Sequence, residues 1–350
     1  MRILAEPNVS QILRELTQSQ CHDFLNALCD SLTAVSNEST AQETERLIHQ
    51  PLRSTILTKR QNLSLFMPVS NTASTGIKIV TASQSHGLIG VINIFSPEGS
   101  LQGLLSAAKI TAFRTALTIM SLLVRCQAMS KENVVILGSG RQAEWHARLV
   151  LLLFPGQVRS ITILNRGRKR LEELETEVLG QLRATYPDVA ISTVAKDHVG
   201  DDVWEEKLRA ALQTCDVLFS CTPATEPNFP ASYLQPFRQR FISLIGSYKP
   251  HMREIDTETL LSGGGKVYVD LKEACLEESG ELILAEMKEE QLIEVGALYG
   301  ELGREVPVEV PQGCNVVFKC VGMGIMDLVI GNKLLDVGRE RGIGMEVDGF

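Results

Sequence analysis

Apolar residues at Val9, Ile12, Leu13, Leu16, Phe24, Leu25, Leu28 and Leu32 recur at intervals of three to four, which predicts helix over residues 1 to about 35. From about Leu52 to Leu105 the period shortens toward two, and the runs STIL, LSLFMP, TGIKIVTA and GLIGVINIF predict strands. Ser96-Pro97-Glu98-Gly99 predicts a turn, because proline fixes one backbone angle and glycine relieves the strain of the reversal. The stretch from Ala107 to Cys126 is dense in Ala, Leu and Ile and predicts a buried helix.

Beyond it the pattern alternates. Short β-like runs occur as VVILG (134–138), ITILN (161–165), VAISTV (189–194), DVLFSC (216–221), RFISLIG (240–246) and KVYVDL (266–271), with helical stretches between most of them. Strands alternating with helices predict a parallel sheet covered on both faces. After Pro311 a glycine-rich strip, NVVFKCVGMGIMD, leads into a final helix ending at about Arg341. There is no internal repeat and no low-complexity tract. The expected fold is α/β: a Rossmann-type doubly wound sheet over 131–310, inserted in a second α+β domain made of 1–130 and 311–350.

Composition narrows the function classes. A chain of 350 residues has room for two domains, and 44% hydrophobic with 22% charged residues is ordinary for a soluble protein. A net charge of -8 argues against a nucleic-acid binder, which needs a basic face. The 8 cysteines, at 21, 29, 126, 215, 221, 275, 314 and 320, form no C-x-x-C pair, and no His stands at ligand spacing from them. They are expected to be buried, reduced thiols, with no metal site, in a cytoplasmic protein. The start MRILAEPNVSQILREL lacks the form of a secretory signal, and the densest apolar run, Leu149 to Phe154, is far too short to span a bilayer, so no membrane partner is expected.

The strongest local motif is VVILGSGRQAEWHARLVLLLF, a strand, a glycine turn and a helix. Gly138 permits the tight turn, Gly140 lets a pyrophosphate approach the backbone, and Ala143 keeps helix and strand close. Ser139, Arg141 and Gln142 complete the loop, whose free N–H groups would hold the phosphates. A lone G-x-G-x-x-A also occurs as a tight turn in other doubly wound proteins, but the strand before it, the helix after it and the further βα units favour a dinucleotide. At the end of the next strand an NAD enzyme usually carries Asp or Glu; this chain has Asn165 and Arg166, then Arg168, Lys169 and Arg170. Asn and Arg accept a 2′-phosphate that a carboxylate would repel, through bonds worth about 1.5–3 kcal/mol each. The expected cofactor is therefore NADPH (NADP+), with NADH the weaker alternative. Arg166 is the best-placed residue and Arg168 a second, while at least one of Arg168, Lys169 and Arg170 belongs to a solvated first helical turn. Thr222 and Ala224, just past a strand of the series, are expected to line the cofactor cleft, since ligands lie at strand C-terminal ends.

Taken in order, PLRST, FMP with Lys78 ten residues beyond its proline, TAFRTA, LGSGRQAEWH, ILNRGR, CTPATEP, GSYKPHMREID, VYVD, ESGEL and FKCVGMGIMD resemble the ornithine cyclodeaminase and mu-crystallin family, over about Pro51 to Gly342. That family also includes ketimine reductases and an alanine dehydrogenase branch, and the mu-crystallin branch is the more similar. The resemblance implies an NAD(P)-binding Rossmann domain inserted in a dimerising substrate domain, a homodimer, and a small amino- or imino-acid substrate. It matches Arg53 and Arg114 to arginines that grip the substrate carboxylate and Lys78 to the lysine beside the reacting carbon. Met67, in the FMP string, goes with the substrate contacts, and Met323 and Asp327, in the last strip, with the nicotinamide end of the cofactor. The chemistry of the residues agrees: an α-carboxylate in a closed site suits the planar fork of Arg, and a desolvated Lys can give up a proton. A structural ion pair is the alternative for each, and a helix-start cap the alternative for Asp327.

Two departures change the expected reaction. Ornithine cyclodeaminases carry a catalytic Glu two residues before the Met-Pro, where this chain has Leu65, and a catalytic Asp where it has Tyr248. Cyclodeamination needs such carboxylates to manage protons and hold a second amine; imine reduction needs a hydride source, one proton donor and an arginine clamp. The chain is thus expected to be an enzyme, an NADPH-dependent reductase of α-imino carboxylates such as cyclic ketimines leading to proline- or pipecolate-like amino acids. A cyclodeaminase-like or alanine-type dehydrogenase, or a cofactor-holding binding protein with little catalysis, are the alternatives. Tyr248 could bind substrate or donate a proton, with packing the default. His86, His146 and His251 read as polar loop or helix residues, and the acidic stretch from Glu273 to Glu301 as a solvated face.

Overall fold

A computed structural model describes residues 1–38, 41–83, 87–236, 238–299, 308 and 310–349. His86 and Glu301 lie outside the described residues. The chain forms two compact units, one holding Met1–Thr115 and Gly322–Phe350, the other built mainly on Ala116–Leu298 and closing at Val321.

In the first unit, β1 (Arg2–Leu4), β2 (Ser54–Leu57), β3 (Leu63–Ser70), β4 (Thr75–Ser83), β5 (Gly87–Phe95) and β6 (Leu101–Ser106) join a C-terminal strand, Met345–Glu346. The order across the sheet is C-terminal strand, β1, β6, β5, β4, β3, β2. Strands β2 to β6 form an antiparallel meander, as the period-two pattern requires. Met67, Val69, Lys78, Val80, Ile92 and Ile94 are buried on one face while their chain neighbours are half-buried. The helix Gly324–Glu340 covers that buried face, and α2 (Gln18–Asn37) packs on this helix in turn. The start of α2 is fixed by a reciprocal cap in which Thr17 Oγ1 accepts from Gln20 N and Gln20 Oε1 from Thr17 N.

The helical expectation for the first residues holds from Glu6 onward, in α1 (Glu6–Arg14) and α2, but Arg2–Leu4 is a strand. Three residues are too few to show a period, and what makes them a strand is pairing with β6 and with Met345–Glu346, both far away in sequence.

The second unit contains β7 (Asn133–Leu137), β8 (Ser160–Asn165), β9 (Ala190–Ala195), β10 (Val217–Ser220), β11 (Phe241–Leu244), β12 (Val267–Val269), β13 (Leu292–Glu294) and β14 (Val316–Lys319). Their order is β13, β12, β14, β11, β10, β7, β8, β9, and every pair is parallel. The fully buried central strands β10, β11 and β14 are those of a sheet covered on both faces. Winding runs from β7 out to β9, then returns to β10 on the other side of β7, so the switch point at which doubly wound sheets bind ligands lies between β7 and β10.

The boundaries between units differ from those expected near Ser130 and Pro311. The first lies inside α3 (Ala107–Leu123), a continuous helix buried nearly all round, and the second at Val321–Gly322. The second boundary moves because Val316–Lys319, the start of the glycine-rich strip, pairs with β11 and β12. Strand β13 was not visible in the sequence because it is three residues inside an acidic stretch.

Candidate active site

In the second unit, β7 ends at Leu137 and the chain turns at Gly138, whose φ is 109°. A Cβ there would also meet the Cys221 carbonyl oxygen at 2.8 Å, so conformation and space both demand glycine. Gly140 is the N-cap of α4 (Arg141–Leu153), makes no side-chain cap bond, and has open space where a Cβ would be. Ala143 is completely buried between helix and sheet. The buried Ser139 Oγ and Gln142 Oε1 have no hydrogen-bond partner. The orphaned Ser139 hydroxyl, beside the unsatisfied N–H groups of a helix start and the open space at Gly140, fits a dinucleotide pyrophosphate.

Beside the cradle is a cavity of about 410 Å³, lined in part by Asn165, Arg166, Thr222 and Ala224, so four of the residues expected from the sequence converge on it. Asn165 Nδ2 donates to Gly167 O at 2.7 Å, holding the turn after β8. Among the described residues the Arg166 guanidinium has no hydrogen bond or ion pair. Arg168 differs from expectation: its Nε bonds Glu172 at 2.5 Å and its Nη1 lies 3.2 Å from His198 Nδ1, in a pair more than half exposed. It is the solvated first-turn residue and does not line the cavity. Lys196 and Trp204, which no motif marked, do line it.

The loops after β10 and β11 are tied by a buried carboxylate. Glu254 accepts from Ser220 Oγ at 2.6 Å, Thr222 N at 3.0 Å, Gly246 N at 2.6 Å and Ser247 N at 3.3 Å. Burial pushes its carboxyl up to about 7, against the pull of Lys319 and of these donors, with Glu281 adding to the rise. Lys319 Nζ donates to Ser247 O at 2.6 Å and lies 3.6 Å from Glu281, which in turn accepts from Glu254 N at 2.8 Å. Glu281 and Glu294 are thus buried and bonded, although the acidic stretch holding them was expected to be solvated; Glu294 caps the turn after β12 by accepting from Lys272 N at 3.0 Å. His146 is a buried helix residue, with Nδ1 at 2.8 Å from Gln142 O and its ring 4.7 Å from Phe219; burial lowers its pKa to about 4. His251 is exposed in a turn. Tyr248 belongs to this unit and is 40% exposed, with Lys249 Nζ 5.5 Å from its ring.

The other expected residues gather in the first unit. Lys78, on β4, is 3% exposed and its Nζ lies 2.5 Å from Asp327 Oδ2. Arg114, on α3, is 4% exposed, with Nε 3.4 Å from Asp327 Oδ1 and Nη1 3.3 Å from Met326 Sδ. Met67 pairs with Lys78 across β3 and β4 and is buried beside it. Burial lowers the Lys78 pKa to about 8; Asp327 opposes the shift, while the positive charges of Arg114 and of half-buried Arg53 reinforce it.

Asp327 does not cap the last helix. The N-cap is buried Met323, without a side-chain cap bond, and Asp327 lies a turn further on, where its carboxylate faces the two cations. No local signal could reveal this partnership, because Lys78 and Asp327 are 249 residues apart. Gly322, with φ at 89°, packs so closely on the Arg114 guanidinium that a Cβ would overlap it, which accounts for one glycine of the strip. Among the described residues no group of His, Cys, Asp or Glu could hold a metal ion, and no helix is long and apolar enough to cross a membrane.

The chain is similar to known proteins over most of its length. Ketimine reductase mu-crystallin of Mus musculus is 26% identical over 302 residues, covering 83% of this chain and 85% of that protein. Delta(1)-pyrroline-2-carboxylate reductase of Bacillus thuringiensis subsp. konkukian is 23% identical over 313 residues, covering 85% and 89%. The solved structure of Thermococcus litoralis Delta(1)-pyrroline-2-carboxylate reductase, in complex with NADH and L-proline, shares the fold with a TM-score of 0.75 at 21% identity, over 99% of this chain and 100% of that one. The model of one family matches residues 16–337, nearly the whole chain, and by that match this protein belongs to the ornithine cyclodeaminase/mu-crystallin family.

Proposed function

We propose that this protein is an NADPH-dependent reductase of α-imino carboxylates, taking cyclic ketimines to proline- or pipecolate-like amino acids. Family membership and the reductase relatives make the chain an NAD(P)-linked oxidoreductase of C=N bonds; the substrate, the preference for NADPH and the residue roles are the proposal. The observation that carries it is the buried cluster in the first unit: Lys78 and Arg114 both lie against Asp327, and the charges of Arg114 and Arg53 act on Lys78. An α-imino carboxylate needs cationic donors for its carboxylate close to the group that delivers the proton. Arg114 and Arg53 offer the forked donors that hold such a group.

The nicotinamide, when bound, supplies the hydride that reduces the imine carbon. Lys78 Nζ supplies the proton that completes the amine, so that C=N becomes CH–NH and the lysine is left neutral. A pKa near 8 suits a donor working at neutral pH. The carboxylates that cyclodeamination would need are replaced by Leu65 and Tyr248, and Asp327 is committed to Lys78 and Arg114.

Purified protein incubated with NADPH and pyrroline-2-carboxylate or piperideine-2-carboxylate should consume NADPH and form proline or pipecolate. Arg114→Lys should raise KM for the imino acid roughly ten- to hundredfold, the worth of a charge-assisted bond. If both imino acids are left untouched while the protein binds NADPH, the substrate assignment is wrong.

A further inference from the structure

We propose that Lys196 is the second cation of a 2′-phosphate clamp, acting with Arg166 to set the preference for NADP(H) over NAD(H). The inference rests on the NADPH reading above and deepens it. Strands β8 and β9 are parallel, with Asn165 opposite Ala195. The next residue on each strand is Arg166 on one and Lys196 on the other. The pairing continues one step past the strands, since Asp197 N donates to Arg166 O at 3.1 Å. The two cations therefore leave neighbouring strands side by side, about 4.8 Å apart at the backbone. Both line the one cavity that also receives Asn165, Thr222 and Trp204.

Like charges side by side are unfavourable unless an anion lies between them. The Arg166 guanidinium has no partner among the described residues. Lys196 Nζ lies 3.0 Å from Asp201, whose side chain is 85% exposed, so that pair is screened by water and readily exchanged. One carboxylate, the exposed Glu205, also reaches the cavity wall and offsets part of the positive charge. A phosphate monoester carries close to two negative charges at neutral pH, more than one arginine balances, and two cations on adjacent strand ends meet that demand. A ribose with a free 2′-hydroxyl gains nothing from either.

The test is cofactor binding, followed by the fluorescence of Trp204. The chain has only one other tryptophan, Trp145, which is buried in α4. Dissociation constants for NADPH, NADH and inorganic phosphate would be measured on the parent protein, Lys196→Ala, Arg166→Ala and the double variant. Lys196→Ala should weaken NADPH roughly tenfold or more, leave NADH within about twofold, and flatten the salt dependence of NADPH binding. Unchanged NADH binding also shows that the variant is folded. If Arg166→Ala weakens NADPH selectively while Lys196→Ala binds both cofactors as the parent does, the role of Lys196 is disproved and the NADPH reading stands. Should the parent bind NADH as tightly as NADPH, and neither variant alter the ratio, the NADPH reading fails and this inference fails with it. Inorganic phosphate that competes equally with NADH and NADPH would place the anion elsewhere and also overturn the clamp.

Discussion

An ammonium group that is 97% shielded from water can stay charged when a carboxylate lies against it, and Asp327 does this for Lys78. The Lys78 pKa of about 8 lies below its ordinary 10.5, with burial the main cause. If Lys78 is the proton donor, kcat/KM for imine reduction is level at neutral pH and falls as pH rises through about 8, where the proton is lost. Asp327→Asn removes the counterion, so the falling limb should move to lower pH, and breaking a buried pair should destabilise the fold by about 3–5 kcal/mol. Rate profiles and urea midpoints read the two effects separately. A limb that stays near 8 in the variant would show that Asp327 does not set the charge of Lys78. The sign for stability follows from the same shift: a lysine whose pKa is lowered in the fold contributes stability that is full above its unfolded value, near 10.5, and lost as pH falls through 8. At this scale the sequence showed which residues carry charge and, by resemblance, which are expected to form the site. It did not show that Asp327 serves Lys78, that Gly322 makes room for Arg114, or that Arg168 is engaged by Glu172, because each depends on packing rather than on sequence neighbours.

Elements with a clear period were legible and elements defined by pairing were not. Strands β2 to β5 and β7 to β12 follow from runs of apolar residues, and Gly138 marks the turn into α4 at the switch point. Strands β1, β13 and β14 have three or four residues each and owe their existence to partners from distant segments. Glu254 shows how such elements are held: one carboxylate takes donors from the ends of both β10 and β11, beside the residues that line the cavity. With its pKa raised from 4.5 to about 7, its contribution to stability is full below about pH 4.5 and lost as pH rises through 7. Glu254→Gln lacks that titration, so its stability deficit against the parent should shrink between about pH 4.5 and 7. Thermal melts across that window would measure it, and a deficit that widens with pH would contradict the raised pKa.

On the scale of the whole molecule, the sheet of the first unit has two unlike faces. One carries Lys78 and is covered by the helix Gly324–Glu340; alternation along the strands puts Phe66, Ile77, Ile79, Val91 and Leu104, all half-buried, on the other. We propose that this apolar face joins two copies in a homodimer. Light scattering should then give twice the chain mass, and Ile79→Asp with Val91→Asp should give the mass of one chain; a parent of single-chain mass excludes the pairing. The α/β class was legible in the alternation of strands and helices. The crossing points were not, because α3 runs unbroken through the first and β14 belongs to the second sheet.

That nested arrangement also fixes an order in time. The second unit is complete once the chain has been made through Val321, but the first still lacks Gly322, Asp327 and the helix that covers its sheet. During synthesis Lys78 and Arg114 therefore wait, without their shared carboxylate, until the chain has been made through Asp327. The unit carrying the proposed proton donor is therefore completed in synthesis after the unit carrying the glycine cradle.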